Sequence, residues 1–198
     1  MKAESYHHGD LRRALLDAAL VELADQGVEA FSLRRVARRA GVSHAAPAHH
    51  FGDVQGLLTA LAAEGYQRFI AAMQARQDAA GSDPQEAVLA AGLGYVDFAL
   101  AETALFRLIH ASNKPDYEDP ALAAAGAAAY GHISALVAEA TGCALCSPEL
   151  TSRVAAIWAQ SHGLADLVSN GRLTSISSLT GAERDRAILT ALRRVLLD

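Results

Sequence analysis

The chain has 198 residues, of which 52% are hydrophobic and 20% are charged, and its formal net charge is −5 at pH 7. This balance predicts a folded globular protein rather than disorder, and the negative sum excludes a chain that coats nucleic acid along its whole surface. Alanine supplies much of the apolar content and β-branched runs are scarce, so we expect an all-α fold of about nine helices.

The N-terminal segment predicts neither export nor a membrane anchor. Its sequence, MKAESYHHGDLRR, lacks the apolar core of a signal peptide, and no run in the chain approaches the roughly 18–20 apolar residues that a membrane span requires. We therefore expect a cytoplasmic protein with no membrane partner. The first helix is predicted to start at Gly9 and Asp10 and to end at Gly27.

Residues 32–51, SLRRVARRAGVSHAAPAHHF, predict two short helices joined by a tight turn. In the first, the apolar residues recur at i, i+3, i+4 and i+7 and define one buried face, so the four arginines are expected to point away from it. Gly41 is expected to end this helix and Ser43 to cap the next one. Such a layout is typical of a helix-turn-helix, whose second helix enters the DNA major groove. Taken alone, RRVARR is more often a solvated helix face.

The rest of the chain predicts six further helices. The fourth extends from about Asp53 to Ala80, and two more follow at about 84–101 and 103–111. A seventh opens at Asp119-Pro120, and an eighth opens at Ser147-Pro148 and ends at Asn170-Gly171. Residues 172–179 are predicted to be a polar loop before a last helix that continues to the C-terminus.

Three segments closely resemble the N-terminal domain of TetR-type (tetracycline-repressor) transcriptional regulators: Gly27-Val28, residues 31–43 and His50-Phe51. Trp158 with His162-Gly163 looks like a C-terminal variant found in one branch of that family. The resemblance implies a helix-turn-helix DNA-binding domain at 1–52 and a helical ligand-binding and dimerisation domain at 53–198. It further implies a homodimer, most often a repressor, that binds a palindromic double-stranded DNA operator and is released by a small-molecule effector.

The resemblance also implies roles for individual residues of the predicted helix pair. Ser32 would contact a phosphate and His50 the DNA backbone, and small side chains such as Ala45 can touch a thymine methyl group. Ser43, His44, Ala45 and His49 would lie in the third helix, the reading helix that contacts base edges. The residues expected at the DNA are Ser32, Arg34, Arg38, Ser43, His44, Ala45, His49 and His50.

Two positions depart from the family pattern. The family usually has a tyrosine two residues before the histidine and a lysine four residues after it, and here these positions hold Ala48 and Val54. We expect DNA binding to be weaker or anchored differently, with Arg12, Arg13 or the basic face of the second helix as candidate anchors. The alternative is a dimeric module that binds a small molecule or a protein and has a degenerate, weakly DNA-binding head.

A ligand pocket is predicted among aromatic and histidine side chains of the C-terminal helices, because the family places its effector cavity there and such cavities are mostly apolar. Aromatic residues at helical spacing are nevertheless more often core than ligand contacts. For the two histidines, a bond to a backbone carbonyl is about as expected as a ligand contact. The candidates are Phe69, Met73, Tyr95, Phe98, Phe106, His110, Trp158 and His162.

The last two long helices are predicted to form the dimer, because they supply more apolar surface than a monomer would comfortably expose. A two-fold arrangement lets two reading helices contact half-sites about one DNA turn apart. The residues expected at the interface are Leu150, Val154, Ile157, Leu164, Leu167, Ile188, Leu192 and Val195.

The sequence gives little reason to expect an enzyme, a metal or a cofactor. There is no phosphate loop, no HExxH, no nucleophile elbow and no convincing acid pair, and His110, His132 and His162 are not at ligand spacing with a carboxylate. Cys143 and Cys146 form a CxxC with no second pair, which is a weak metal signal and a weak redox signal. We therefore expect a non-catalytic protein without cofactors.

Overall fold

A computed structural model describes the backbone of residues 8–196 and the side chains of residues 11–194. Within that range the chain forms ten helices and no strand, so the prediction of an all-α fold is confirmed. The helices are α1 (His8–Gln26), α2 (Leu33–Arg39), α3 (Ala46–Phe51), α4 (Val54–Gln77), α5 (Pro84–Ala101), α6 (Thr103–Ala111), α7 (Pro120–Thr141), α8 (Pro148–Ser169), α9 (Thr174–Ser177) and α10 (Gly181–Leu196).

One helix, α9, lies where the sequence predicts only a polar loop. It is a single turn in which the carbonyl of Leu173 accepts hydrogen bonds from the N–H groups of Ile176 and Ser177. The prediction of about nine helices is therefore confirmed, with this single turn as the tenth. Leu173 and Ile176 are both partly buried and lie three residues apart, which is a helical spacing. The polar residues around them make this short pattern easy to miss in the sequence.

Local capping interactions fix where α5 and α8 begin, and the sequence predicts both starts. The Asp83 carboxylate accepts a hydrogen bond from the N–H of Gln85 at the start of α5, and the Ser147 hydroxyl oxygen accepts one from Leu150 at the start of α8. Both helices carry proline in their first turn. A cap with such a proline is a local signal, so it can be read without knowledge of the fold.

The described chain divides into two compact units. The first contains the residues up to Gly65 together with Ala104–Ala125, and the second contains Tyr66–Thr103 and the residues from Gly126 onward. The first unit thus includes the expected DNA-binding domain and also half of α4, most of α6 and the start of α7. The domain boundary after residue 52 stays a prediction.

In the first unit, α2 packs against α1 and α3 through the face that the sequence predicts. Val36 and Ala37 are fully buried, while Leu33 and Ala40 at the edges of that face are partly buried. Leu15, Ala19 and Leu23 form the buried face of α1, and the start of α4 contributes a further apolar set of its own, Leu57, Leu58 and Leu61. Burial of these apolar side chains is what stabilises the short helices α2 and α3.

In the second unit, α5 is buried along residues 88–96 and packs against both α8 and α10. Five of the eight residues predicted for the dimer interface belong to this intrachain core. They are Leu150, Val154, Ile157, Ile188 and Leu192, and none is more than 8% exposed. Their assignment to a surface between subunits is wrong, because helices of the same chain already cover them.

The other three predicted interface residues have a different status. Leu167 is 40% exposed and Leu164 is partly buried, so both retain surface for a partner. The side chain of Val195 lies outside the described residues. For these three the interface stays a prediction.

The expectation that no segment approaches a membrane span is wrong for α7. The helix Pro120–Thr141 is long and apolar enough to cross a bilayer, with a mean hydropathy of 1.5 over its most apolar window. Only 17% of that window is buried within the chain. Its apolar character comes largely from alanine and glycine, which are small and weakly hydrophobic. This criterion alone is weak, since core helices of soluble proteins also meet it.

Candidate DNA-binding surface and ligand site

The turn between α2 and α3 is closed by backbone hydrogen bonds. The N–H of Val42 donates to the carbonyl of Ala37 at 3.0 Å, and the N–H of Ala46 donates to the carbonyl of Ser43 at 3.0 Å. Gly41 adopts φ +67°, a left-handed conformation that suits glycine at the end of a helix. The predicted helix-turn-helix connection is therefore present.

The start of α3 differs from the prediction. Ser43 does not cap this helix: α3 begins at Ala46, and Ala45 precedes it without a side-chain cap. Ser43, His44 and Ala45 lie in the turn, so their assignment to the reading helix is wrong, whereas His49 does lie in α3. Pro47 occupies the first turn, where its missing N–H costs nothing, and this sets the late start.

All eight residues predicted at the DNA retain accessible surface. Six are exposed, and Ser32 and His50 are partly buried. Ser32 has an extended backbone, and its carbonyl accepts hydrogen bonds from Arg35 and Val36 while its side chain caps nothing. The surface that these residues form contains no acid, because the chain has no Asp or Glu between Glu29 and Asp53. Contact with DNA stays a prediction for each of them.

The four arginines of α2 divide into two pairs with different surroundings, a division that the sequence did not lead us to expect. Arg34 and Arg38 are exposed. Arg35 and Arg39 instead direct their Nε atoms to the two carboxylate oxygens of Glu22, with 2.8 Å between Arg39 Nε and Glu22 Oε2. Arg35 and Arg39 therefore face a carboxylate of α1 rather than open solvent. Only half of the cationic side chains of α2 remain available to a partner.

Glu22 is the anchor of this pairing. It lies on α1 at i+3 from Ala19 and i+7 from Leu15, and like them it is fully buried. An acid at a buried position of an amphipathic helix, followed by an arginine-rich helix, was the signal available in the sequence. Burial is the largest single influence on the Glu22 carboxyl and would raise its pKa. The hydrogen bonds and charges of the two arginines together outweigh burial, so the pKa lies below its ordinary value.

Position 48 and position 54 present small or apolar side chains to solvent. Ala48 is exposed, and Val54 is 37% exposed at the first residue of α4. No Lys or Arg occurs between Arg39 and Arg68, so α3 and the first half of α4 have no permanent positive charge of their own. Any electrostatic attraction of DNA to this surface must come from arginines on other helices.

Five of the predicted ligand residues belong to one connected group in the second unit. The Phe69 ring meets the Tyr95 ring edge-on with 4.6 Å between centroids, and it lies 5.4 Å from the Phe98 ring. The Tyr95 hydroxyl oxygen lies 2.9 Å from Nδ1 of His162 and accepts a hydrogen bond from Nε1 of Trp158 at 3.2 Å. Tyr95 therefore joins α4, α5 and α8.

Phe106 and His110 form a separate ring pair. They belong to the first unit, where their rings pack on one another with 4.9 Å between centroids. Met73 belongs to the second unit and is fully buried. Eight residues that the sequence groups by type are thus divided between two units by the fold, although a ligand role stays a prediction for each of them.

The Tyr95 hydroxyl is neutral and lies between the Trp158 indole and the His162 ring. Burial raises the pKa of Tyr95 far above its ordinary value, and the hydrogen bond from Trp158 offsets this only in part. Because the indole N–H can only donate, the Tyr95 oxygen accepts from it, and the hydroxyl proton is available to Nδ1 of His162. Trp158 is 44% exposed, and its ring lies 6.2 Å from the ring of Tyr130, which is also 44% exposed. The hydroxyl therefore lies between a buried aromatic group and the surface.

The thiols and acids of the described chain do not form a metal cluster. Among the described side chains of residues 11–194, no group of three His, Cys, Asp or Glu is arranged to hold a metal ion. Cys143 is partly buried and Cys146 is exposed, and both are free thiols in the α7–α8 loop. Cys146 has φ +62°, an uncommon conformation for a residue with a Cβ.

Two family models match most of the chain. The model for bacterial regulatory proteins of the tetR family matches residues 15–61, which include α2 and α3. The model for tetracyclin repressor-like C-terminal domains matches residues 88–192, which include Tyr95, Trp158 and His162. Both models describe regulatory proteins.

Some relatives match only part of the chain, and others match nearly all of it. The HTH-type transcriptional regulator BetI of Rhizobium meliloti (strain 1021) is 49% identical over 49 residues, and that of Burkholderia ambifaria (strain MC40-6) is 38% identical over 77 residues. These matches span 24% and 40% of the length of those regulators. Over nearly the whole length, the chain is similar to a solved protein of unknown function from Rhodococcus sp. RHA1, with 35% identity, 98% coverage of each chain and a TM-score of 0.79.

Proposed function

Because this chain belongs to the TetR family of DNA-binding transcriptional regulators, we propose that it is a cytoplasmic repressor that binds a palindromic operator as a homodimer and releases it when a small molecule binds. The observation that carries DNA binding is the exposed, acid-free surface of the α2–α3 pair, to which Arg34 and Arg38 add positive charge. Cations bind phosphates, and exposed polar side chains on a short helix suit the major groove.

The homodimer is supported by the outer face of α8. Outside the intrachain core, this face offers Ala156, Gly163 and Leu167, which are separated by seven and four residues and so lie on one side of the helix, with Ala155 beside them. A methyl group added at Gly163 would meet nothing within 4 Å in the chain, so its surroundings are open. Small residues allow close approach of a second helix, and Leu167 supplies an apolar anchor that a partner would cover.

The DNA arm is tested by gel shift with duplexes from the region upstream of the gene, between 50 and 200 mM salt. We expect a sequence-preferring complex that contains two chains and weakens steeply with salt. Replacement of both Arg34 and Arg38 by Gln should lower the slope of log affinity against log salt by about 0.9 for each phosphate that is no longer bound. Arg172→Gln removes an exposed arginine from the second unit and should leave that slope unchanged.

Three outcomes would contradict this proposal. They are a shift that contains one chain, equal affinity for unrelated duplexes, and no shift at 50 mM salt. The last outcome would favour a dimeric module that binds a small molecule or a protein. The observation in favour of that second candidate is the lack of Lys and Arg from Ala40 to Gln67, together with exposed Ala48 and Val54.

The effector site is proposed at the group around Tyr95, which combines apolar rings with a buried hydroxyl, an indole and an imidazole. Such a mixture suits a mainly apolar small molecule with a polar group. Release requires the ligand to bind the DNA-incompetent state more tightly, since a ligand shifts an equilibrium only by its differential affinity.

A thermal-shift screen of small molecules, followed by gel shift with each hit, tests this site. We expect a stabilising compound to weaken the DNA complex and Tyr95→Phe to lower its affinity by roughly 2- to 10-fold, the range for removal of one hydrogen bond. Tyr130→Phe removes a hydroxyl from an exposed ring and is the matched control. A compound that binds both variants equally places the site elsewhere, and one that binds without displacing DNA contradicts release.

A further inference from the structure

Positive charge around the reading helix is scarce and unevenly available. In the first unit, Arg35 and Arg39 are committed to Glu22, and Lys114 pairs with Glu29 at 3.2 Å. Arg13 pairs with Asp17 at 2.5 Å and with Glu64 at 3.1 Å. A cation already held by carboxylates contributes less to the binding of a phosphate, because that contact must compete with the existing one.

Arg12 is the neighbour of Arg13 on α1, but its surroundings are different. Its side chain is exposed, and its guanidinium carbon lies 5.0 Å from the centroid of the Phe51 ring. None of the described carboxylates forms an ion pair with it. A guanidinium over a ring face is attracted to the ring while its N–H donors remain available, and its planar fork matches the oxygens of a phosphate.

The ring beneath Arg12 connects it to the candidate DNA surface. Phe51 is the last residue of α3, and its ring lies 6.3 Å from the ring of His50. His50 in turn lies 5.5 Å from His49, the exposed candidate base contact on the same helix. Phe51 also lies three residues from both Ala48 and Val54, which have no charge to offer. Arg12 therefore supplies a cation at the end of a helix that lacks one.

We infer that Arg12 is a DNA-phosphate contact, held in place by the Phe51 ring, and that it supplies from α1 the positive charge that α3 and the start of α4 lack. This inference rests on the proposed DNA-binding function. As a phosphate contact, Arg12 would strengthen DNA binding in a way that depends on salt concentration and not on base sequence.

The test compares Arg12→Gln, Arg12→Lys and Arg172→Gln in the full chain, by gel shift on the same operator duplex between 50 and 200 mM salt. Removal of one phosphate contact per chain takes about 1.8 from the log–log salt slope of a dimer, so the weakening over this salt range becomes roughly 12-fold smaller for Arg12→Gln. Arg12→Lys keeps the charge and should keep the slope. Arg172→Gln, which removes an exposed arginine from the second unit, is the control and should also keep it.

The possible results separate this inference from the function on which it rests. If the unmodified chain does not bind DNA at 50 mM salt, both are overturned. If it binds and Arg12→Gln has the same slope, only the role of Arg12 is overturned. If Arg12→Gln weakens binding equally at every salt concentration, Arg12 acts by supporting Phe51, and the phosphate contact is again overturned. Thermal unfolding of each variant verifies that it is folded in the assay.

Discussion

Gly94→Ala is expected to destabilise the chain by about 3 kcal/mol or more, which is the upper range for overpacking a core. A Cβ at this position would lie 2.5 Å from the carbonyl oxygen of Ala72, 2.7 Å from Cα of Met73 and 2.9 Å from the carbonyl carbon of Ala72. These are backbone atoms of α4, which cannot turn aside as a flexible side chain can. The α4 and α5 backbones approach so closely here that only glycine fits.

Gly131→Ala is the matched control for this substitution. Gly131 lies inside α7, and an added Cβ would meet nothing within 4 Å. Alanine in an open helix interior should stabilise the chain by about 0.5–1 kcal/mol. Urea unfolding of both variants measures the two changes. A Gly94→Ala variant whose unfolding midpoint equals that of the unmodified chain would contradict the close α4–α5 contact.

Glu22→Ala is expected to destabilise the chain by about 3 kcal/mol, because it leaves two arginines beside a buried position without their carboxylate. The arginine side chains are 34% and 30% exposed, so water can reach them and the cost should lie at the low end of the range for a broken buried pair. Because this contact ties α2 to α1, the variant should also bind DNA less well at temperatures near its unfolding midpoint.

Glu29→Ala is the control for the removal of a carboxylate from the same unit. Glu29 is 84% exposed and pairs with Lys114 at the surface, so its removal should change stability by less than about 0.5 kcal/mol. Equal decreases in stability for Glu22→Ala and Glu29→Ala would show that the buried network contributes no more than a surface ion pair.

The Glu22 pairing also predicts the direction of a pH dependence. The folded-state pKa of Glu22 lies below its unfolded value, so its contribution is complete above about pH 4.3 and is lost as the pH falls through the folded-state pKa. Glu22→Gln cannot ionise and lacks this contribution. The stability gap between the unmodified chain and Glu22→Gln should therefore shrink as the pH is lowered from 7 to 3, and a constant gap would show that protonation of Glu22 is not linked to folding.

The fold class and the helix-turn-helix could be predicted from the sequence because their signals are local. The i, i+3, i+4, i+7 spacing around Val36 and Ala37 identifies the buried face of α2, and Asp83 and Ser147 mark the starts of α5 and α8 within one turn. The start of α3 was misplaced for an equally local reason. Ser43 is a good cap by type, but Pro47 and a backbone bond from Ala46 to the Ser43 carbonyl set the first turn later.

The buried faces of the helices can be predicted from the sequence, because apolar periodicity follows from the geometry of a single helix. The surface that covers each face depends on tertiary contacts. Leu150 and Ile188 are apolar on one face of their helices, yet the covering surface is α5 of the same chain and not a second subunit. Likewise, the four arginines of α2 are identical in type, but Glu22 forms ion pairs with only two of them, Arg35 and Arg39. Burial is a property of one helix and its spacing, whereas pairing depends on contacts between helices that no single segment encodes.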